Sequence, residues 1–252
     1  KTLDVEWLNS CHWLFDHVKW QGFSPWDIIM PLFVFMTGIT IPFALGRMRE
    51  ERTYGTALWR ILRRVVVLWI FGLICQGGLF DKDPQTIYLY SNTLQAIAVG
   101  YLLTVPMVLY LKPKHQVFAI AALLIVYSIP MHLHGDWSAQ GNWAAVIDKA
   151  VMGRFRDGSV VAADGSVQFA AWYDYTWLWS SLTFCCTVAL GSLAGYMTKT
   201  GNNDRKATAR KLAAVGIALV VTGLLCGFVQ PIIKRIWTAS FMLYSAGWCY
   251  LL

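Results

Sequence analysis

Charge is what this chain has least of. Only 14% of its 252 residues are Asp, Glu, Lys or Arg, while 57% are hydrophobic; a soluble domain of this length carries roughly 25% charge. That deficit excludes an ordinary soluble globule and points to an all-α, polytopic helical membrane protein. Acids are scarcer than bases, 14 against 21, for a net charge of +7. Such a surplus suggests nucleic acid only where the bases line one soluble face, and here they fall in short segments between apolar runs. Also missing are a Walker loop, a G-x-G-x-x-G and a G-x-S-x-G, so the common nucleotide-binding and serine-hydrolase signatures are excluded. The cysteines, six in all, form no C-x-x-C pair and no secreted-domain spacing, which indicates neither a zinc site nor a disulfide framework. No period of 20–50 residues repeats, and no signal peptide is visible. The chain begins without Met and ends inside an apolar run, so it reads as a fragment of a longer protein, a single transmembrane domain over 1–252 with more spans expected beyond it.

What is present is long apolar runs. A spanning helix needs about 20 mostly apolar residues, and seven segments qualify: roughly 25–46, 59–79, 93–111, 115–132, 176–197, 211–229 and 237–252. Lys and Arg concentrate in cytoplasmic loops. Arg47, Arg49, Arg52, Arg60, Arg63 and Arg64 follow the first span or open the second. Lys112 and Lys114 follow the third. Lys199, Arg205, Lys206, Arg210 and Lys211 follow the fifth. By alternation these lie on one side. The opposite segments hold Asp4, Glu6, Asp16, Asp81, Asp83, Asp136, Asp148, Asp157, Asp164 and Asp174, so His17 and the long segment 133–175 face outward. That segment is too long for a plain turn. Its Asp157-Gly158 and Asp164-Gly165 pairs, beside short β-prone stretches, predict a β-hairpin, either as a lid over an outward site or as a passive loop.

The polar residues at the outer boundary have two readings. Ser24, Pro25 and Asp27 form a helix start: an N-cap, a proline at the first position and an acid at N3. Asn92 with Gln95 repeats that pattern at the third span, and Asp174 stands in a capping position before the fifth. Alternatively these groups line one cavity, since ionisable residues at a membrane are often functional. His17 lies between Phe15 and Trp20, outside the helix; it is an interface residue or a general base suited to neutral pH. His132, His134 and Asp136 share a face if extended and are a weak metal candidate. The Trp and Tyr residues near 7–26 and 172–179 fit an interfacial belt or a sugar-stacking surface.

The stretch FDHVKWQGFSPWDIIMPLFVFMTGITIPFAL resembles the H-x-x-W-x-G-x-x-x-x-D-h-h-h-P-h-F-h-F-h-x-G pattern of the heparan-α-glucosaminide N-acetyltransferase family and its bacterial relatives in the transmembrane acyltransferase superfamily. NTLQAIAVGY, ALGSLAGYM and IIKRIWTASFMLYSAGW are similar to later segments of that family and occur in its order. The resemblance departs at Ala96, where the family has Arg, and over residues 174–178, which keep only the Asp and the Leu of an acidic D-P-E-G-L segment. It implies an enzyme of a bacterial inner membrane that takes an acetyl group from cytoplasmic acetyl-CoA to an amine or hydroxyl of a sugar or glycan on the outer side. His17 matches the family's catalytic histidine. On that reading Asp27 fixes the His17 tautomer, and Trp20, Asn92, Gln95 and Asp174 bind substrate, with Asn92 or Gln95 donating to the thioester oxyanion. Arg60, Arg63, Arg64 and Lys112 hold the CoA phosphates. No metal is expected. The partners are acetyl-CoA, a glycan acceptor and membrane lipids, with a homodimer left open. Transfer through an acetyl-histidine and direct transfer both remain open. The rival class is a transporter or glycan- or lipid-binding membrane protein without catalysis, which broken helices in matched halves would favour.

Overall fold

The computed structural model describes residues 12–51, 54–80, 87–201 and 204–252. The residues Asp4, Glu6, Arg52, Asp81 and Asp83 named above lie outside these ranges. The described chain is mostly helical. After a short turn of helix, α1 (His12–Phe15), a 3₁₀ turn at Pro25–Ile28 runs into α2 (Ile29–Glu51). There follow α3 (Tyr54–Cys75), α4 (Thr93–Tyr110), α5 (Pro113–His134), α6 (Trp143–Met152), the strands β1 (Ser159–Val161) and β2 (Val167–Phe169), α7 (Ser181–Thr200), α8 (Arg205–Gly227) and α9 (Ala239–Leu251).

Among the described residues, five helical segments are long and apolar enough to cross a membrane: Pro25–Leu45, α4, α5, α7 and α8. The other two expected spans do form helices but fall short of that standard. Arg60, Arg63 and Arg64 interrupt the apolar character of α3, and α9 has 13 residues, where about 20 are needed. The fifth span starts later than its hydropathy predicts, at Ser181 instead of 176. The reason is a competing acceptor: the Asp148 carboxylate takes the N–H groups of Trp177 (2.7 Å) and Leu178 (3.0 Å).

Helix α7 is the centre of the bundle. Of its apolar stretch 72% is buried, against 11% for α8 at the periphery. It packs against α2, α4, α5 and α9. The α2–α7 crossing is set by glycine. A Cβ on Gly191 would stand 2.1 Å from the Phe35 carbonyl oxygen, and one on Gly38 would stand 1.9 Å from that of Val188. The two backbones touch because neither helix carries a side chain there, the small-xxx-small logic of helix pairs in lipid, where close packing must supply what the hydrophobic effect does not. Around this contact the core holds Phe35, Phe184, Trp237, Phe241 and Tyr250. Two buried hydroxyls of this region find backbone acceptors, Tyr250 on Leu190 (2.7 Å) and Thr104 on Cys185 (3.1 Å).

The segment 133–175 contains the expected hairpin, antiparallel with Val160 opposite Gln168. Its turn is Asp164-Gly165, where Gly165 has φ +81° and Asp164 accepts from the Ser166 N–H at 2.9 Å. Asp157-Gly158 instead leads the chain into β1. His132 and His134 end α5 and do not lie on an extended strand, so their rings diverge. His132 contacts the carbonyls of Ser128 and Val229, and His134 that of Gly141. Among the described residues no three His, Cys, Asp or Glu side chains come together as a metal site.

The connector between α8 and α9 is irregular but tightly held. Gly22 N–H donates to the Ile232 carbonyl at 2.8 Å, and Gln21 and Ile233 form an isolated antiparallel bridge. Tyr127 Oη and Ser180 Oγ both donate to the Ile236 carbonyl, at 2.6 and 3.0 Å. Trp237, fully buried, adopts φ +47°, a backbone state that non-glycine residues keep only where the surroundings enforce it. These contacts carry residues 231–238 across the bundle to the His17 segment.

Candidate functional site

A cavity of about 830 Å³ opens at the end of the bundle where these segments meet, lined among others by His17, Trp26, Asn92, Asp174, Trp177 and Lys234. Its walls come from four separated stretches of chain: the α2 entrance, the end of α3 with the α4 entrance, residues 157–177, and the α8–α9 connector. The segment 133–175 therefore supplies a wall of the cavity through Asp157, Trp172, Tyr173 and Asp174. A narrower apolar groove of about 330 Å³ shares Ile29, Met30 and Thr93 with it and continues between α2 and α4 past Phe33, Leu94 and Ile97.

The helix start at Ser24 is built as its sequence predicts, and it presents Asp27. Ser24 N–H donates to Asp27 Oδ2 at 3.1 Å, and Asp27 N–H donates to the Ser24 carbonyl at 2.9 Å. The carboxylate is 1% exposed. Its other oxygen, Oδ1, receives His17 Nδ1 at 2.7 Å and Lys234 Nζ at 3.0 Å. A contact of 2.7 Å between a carboxylate oxygen and Nδ1 requires a hydrogen on that nitrogen. Nδ1 is thus the bound nitrogen, so in the neutral ring Nε2 carries the lone pair; the side chain is 46% exposed and lines the cavity. Capping and site chemistry, the two readings of Asp27, hold together: one oxygen serves the helix and the other serves the histidine.

Lys234 is a site residue that sequence reasoning missed. Its ammonium stands 3.0 Å from Asp27 and 3.3 Å from His17 Nδ1, and its side chain is 11% exposed. Burial lowers its pKa, opposed by the hydrogen bond and charge of Asp27. The available signal was two adjacent cations, Lys234 and Arg235, on the acidic side of the charge alternation. Arg235 forms an ion pair with Asp174 and lies over the Tyr175 ring, 5.4 Å from its centre.

That pair corrects the role expected of Asp174. It caps no helix, since α7 begins seven residues later, but its carboxylate does line the cavity. Asn92 also lines it, and there capping prevails: Oδ1 accepts from Leu94 and Gln95 N–H, while Nδ2 donates to the Gly72 carbonyl and to Gln95 Oε1. Gln95 is fully buried outside the lining, with its Nε2 on the Leu89 carbonyl at 2.7 Å. Asn92 has no donor left for a substrate, and Gln95 is buried away from the cavity. Trp20 also stands outside the lining, packed near Trp137, whose carbonyl accepts its Nε1–H at 2.9 Å. The aromatic residues that do line the cavity are Trp26, Tyr88, Trp172, Tyr173, Tyr175 and Trp177.

The expected phosphate-binding cations are not part of this cavity. Arg60, Arg63 and Arg64 are exposed near the start of α3, whose far end carries the cavity residue Gln76, and Lys112 is exposed in the α4–α5 turn. Arg63 and Gln76 are about 20 Å apart along the helix axis, at 1.5 Å per residue. Arg64 lies over the Tyr101 ring, 4.6 Å from its centre.

Behind the aromatic wall is a buried polar group. Arg156 is fully buried, donates to the carbonyls of Asp157 and Tyr173, and has an Nε without a partner among the described residues. Burial pushes Asp148 up to about 7 against its two backbone hydrogen bonds, and raises Asp157 as well. No protein-family model matches the chain, and no curated protein matches it significantly.

Proposed function

We propose that this chain is the core of a polytopic membrane acyltransferase that moves an acyl group, acetyl in the simplest case, from a cytoplasmic thioester to a sugar amine or hydroxyl on the other side. The observation that carries this reading is the His17–Asp27 pair: Nδ1–H is bound at 2.7 Å to a buried carboxylate, and the ring lines a cavity of about 830 Å³. This arrangement suits a base that takes a proton from an incoming nucleophile, a contribution of typically 10²–10⁴-fold. The rings of Trp172, Tyr175 and Trp177 beside the carboxylates of Asp157 and Asp174 suit a polyhydroxylated acceptor, with rings for its faces and acids for its hydroxyls or amine.

The charge alternation supports the sidedness. The basic clusters lie toward one end of the bundle, at the cytoplasmic face on this reading. The His17 cavity lies toward the other, on the periplasmic side of a bacterial inner membrane. Arg60, Arg63, Arg64 and Lys112 offer cations to phosphates, and the groove along Ile29, Phe33 and Leu94 offers an apolar path between α2 and α4 for the thioester arm. The family resemblance of the His17 stretch supports the same assignment.

The test is direct. The full-length protein in detergent or vesicles, given labelled acetyl-CoA, transfers label to a hexosamine or glycan, and His17→Ala abolishes transfer while the variant remains folded. Wild-type activity in His17→Ala removes His17 from the mechanism. Acceptor flux across vesicles without acyl transfer supports the transporter reading instead.

A further inference from the structure

We propose that Lys234 is a catalytic residue, the cation that binds the oxyanion formed when the thioester carbonyl is attacked. This rests on the acyl-transfer reading above and extends it to a side chain 217 residues from His17 in sequence.

Attack on a thioester moves the carbonyl π electrons onto oxygen, and the donors aimed at that oxygen are usually the largest single contribution to rate. The donor must lie at the reacting end of the cavity and must be free to turn to the new anion. Four polar groups of the lining already have partners; the Ser91 hydroxyl, which has none among the described residues, lines the cavity from the α4 entrance. Asn92 Nδ2 is committed to Gly72 and Gln95. Arg235 is paired with Asp174, and Trp177 Nε1 donates to Tyr173 Oη at 2.8 Å. Gln76 hydrogen-bonds Asp157.

What sets Lys234 apart is its contact with the base itself, 3.3 Å from His17 Nδ1. It borders the cavity beside His17, and an ammonium has three hydrogens. One of them meets Asp27 Oδ1. The 3.3 Å contact to His17 Nδ1 accepts none, because that nitrogen itself carries a hydrogen toward Asp27. Two donors therefore remain, anchored next to the base. Asp27 holds both partners by the same oxygen and so fixes the distance between the base and the cation. Desolvation weakens the hold of Lys234 on its protons, which makes those N–H groups stronger donors to a developing anion.

The step balances as follows. His17 Nε2 takes the proton of the acceptor amine or hydroxyl as its N or O bonds to the thioester carbon. The π pair goes to oxygen, where Lys234 stabilises the negative charge by charge and hydrogen bond without giving up a proton. The C=O bond re-forms, the C–S bond breaks, and the departing thiolate takes the proton from His17.

The experiment uses the full-length protein, acetyl-CoA and a hexosamine acceptor, with Lys234→Met, Lys234→Arg and Lys234→Cys. Loss of one oxyanion donor predicts that kcat falls about 10²–10³-fold in Lys234→Met, with KM for both substrates within about threefold because the oxyanion exists only in the transition state. Diethylpyrocarbonate labelling of His17, read by mass spectrometry, reports whether the ring stays accessible in each variant. Alkylating Lys234→Cys with bromoethylamine, which rebuilds an ammonium at that position, restores kcat, whereas iodoacetamide does not. The rescue keeps the test decisive if Lys234→Met fails to fold. Unchanged kcat in Lys234→Met, a loss confined to KM, or equal rescue by both reagents overturns the proposal while leaving the acyltransferase reading standing. Absence of transfer by the wild-type protein overturns both.

Discussion

Asp27→Asn tests the site through its stability as well as its activity. The carboxylate receives hydrogens from the Ser24 N–H at 3.1 Å, His17 Nδ1 at 2.7 Å and Lys234 Nζ at 3.0 Å, and shares the single Ser24 hydroxyl hydrogen (3.1 Å) with the Asp16 carbonyl (2.7 Å). An amide of the same shape has one accepting oxygen. If that oxygen faces His17 and Lys234, the amide N–H₂ confronts the Ser24 N–H; if it faces Ser24, the N–H₂ confronts two donors. At least one donor–donor clash results either way, and Lys234 loses its counter-ion. Removing one partner of a fully buried ion pair costs about 3–5 kcal/mol. Lys234 and His17 border an open cavity, so solvent returns part of that, and an expected loss of about 2–4 kcal/mol follows. Reversible unfolding in mixed micelles measures it. Lys234→Met alone leaves Asp27 with His17 and Ser24 and is expected to be less damaging. The double variant, with no stranded charge, is expected to be more stable than the sum of the single losses by at least about 1 kcal/mol. Acyl transfer falls about 10²–10⁴-fold in Asp27→Asn through loss of the bound tautomer. Wild-type stability for Asp27→Asn, or strictly additive losses in the cycle, refutes the shared-oxygen geometry.

Two other outcomes follow from packing and burial. Gly191→Ala places a methyl 2.1 Å from the Phe35 carbonyl and forces α2 and α7 apart, so unfolding free energy should fall by about 3 kcal/mol or more; Gly55→Ala, with open space around its Cβ, is the control and should be neutral. Asp148 binds its proton more tightly in the folded chain, at about 7 against 3.8 for an ordinary Asp. The folded state therefore holds more protons between these values, and the Asp148 contribution makes stability decline as pH rises from about 4 to about 7 and then level off. Asp157 contributes with the same sign, so Asp148→Asn should flatten but not abolish the slope of unfolding midpoint against pH.

The membrane-length helices, the Ser24-Pro25-Asp27 start, the Asn92 cap and the Asp164-Gly165 hairpin were all legible in the chain, because each is a local matter of hydropathy period, capping chemistry or turn residues acting within a few positions. The start of α7 and the role of Asp174 were not. Both were decided by groups distant in sequence, Asp148 capturing the N–H groups of Trp177 and Leu178, and Arg235 pairing with Asp174. Hydropathy has no means of registering an acceptor that arrives from another segment.

The same division runs through the site. From the sequence came a histidine and an acid ten residues apart at an apolar boundary, and a family likeness that singled out His17. Only the tertiary structure brought Lys234 within 3.3 Å of that histidine, because its position depends on the connector pairing with residues 21–22 and on hydrogen bonds from Tyr127 and Ser180 that hold it there. Only the tertiary structure, too, withdrew Asn92 as a donor and buried Gln95 away from the cavity, since whether an amide can serve depends on what has already bound or covered it. A residue's type sets the chemistry it is capable of; the packed neighbours determine whether any of that capacity is left for a substrate.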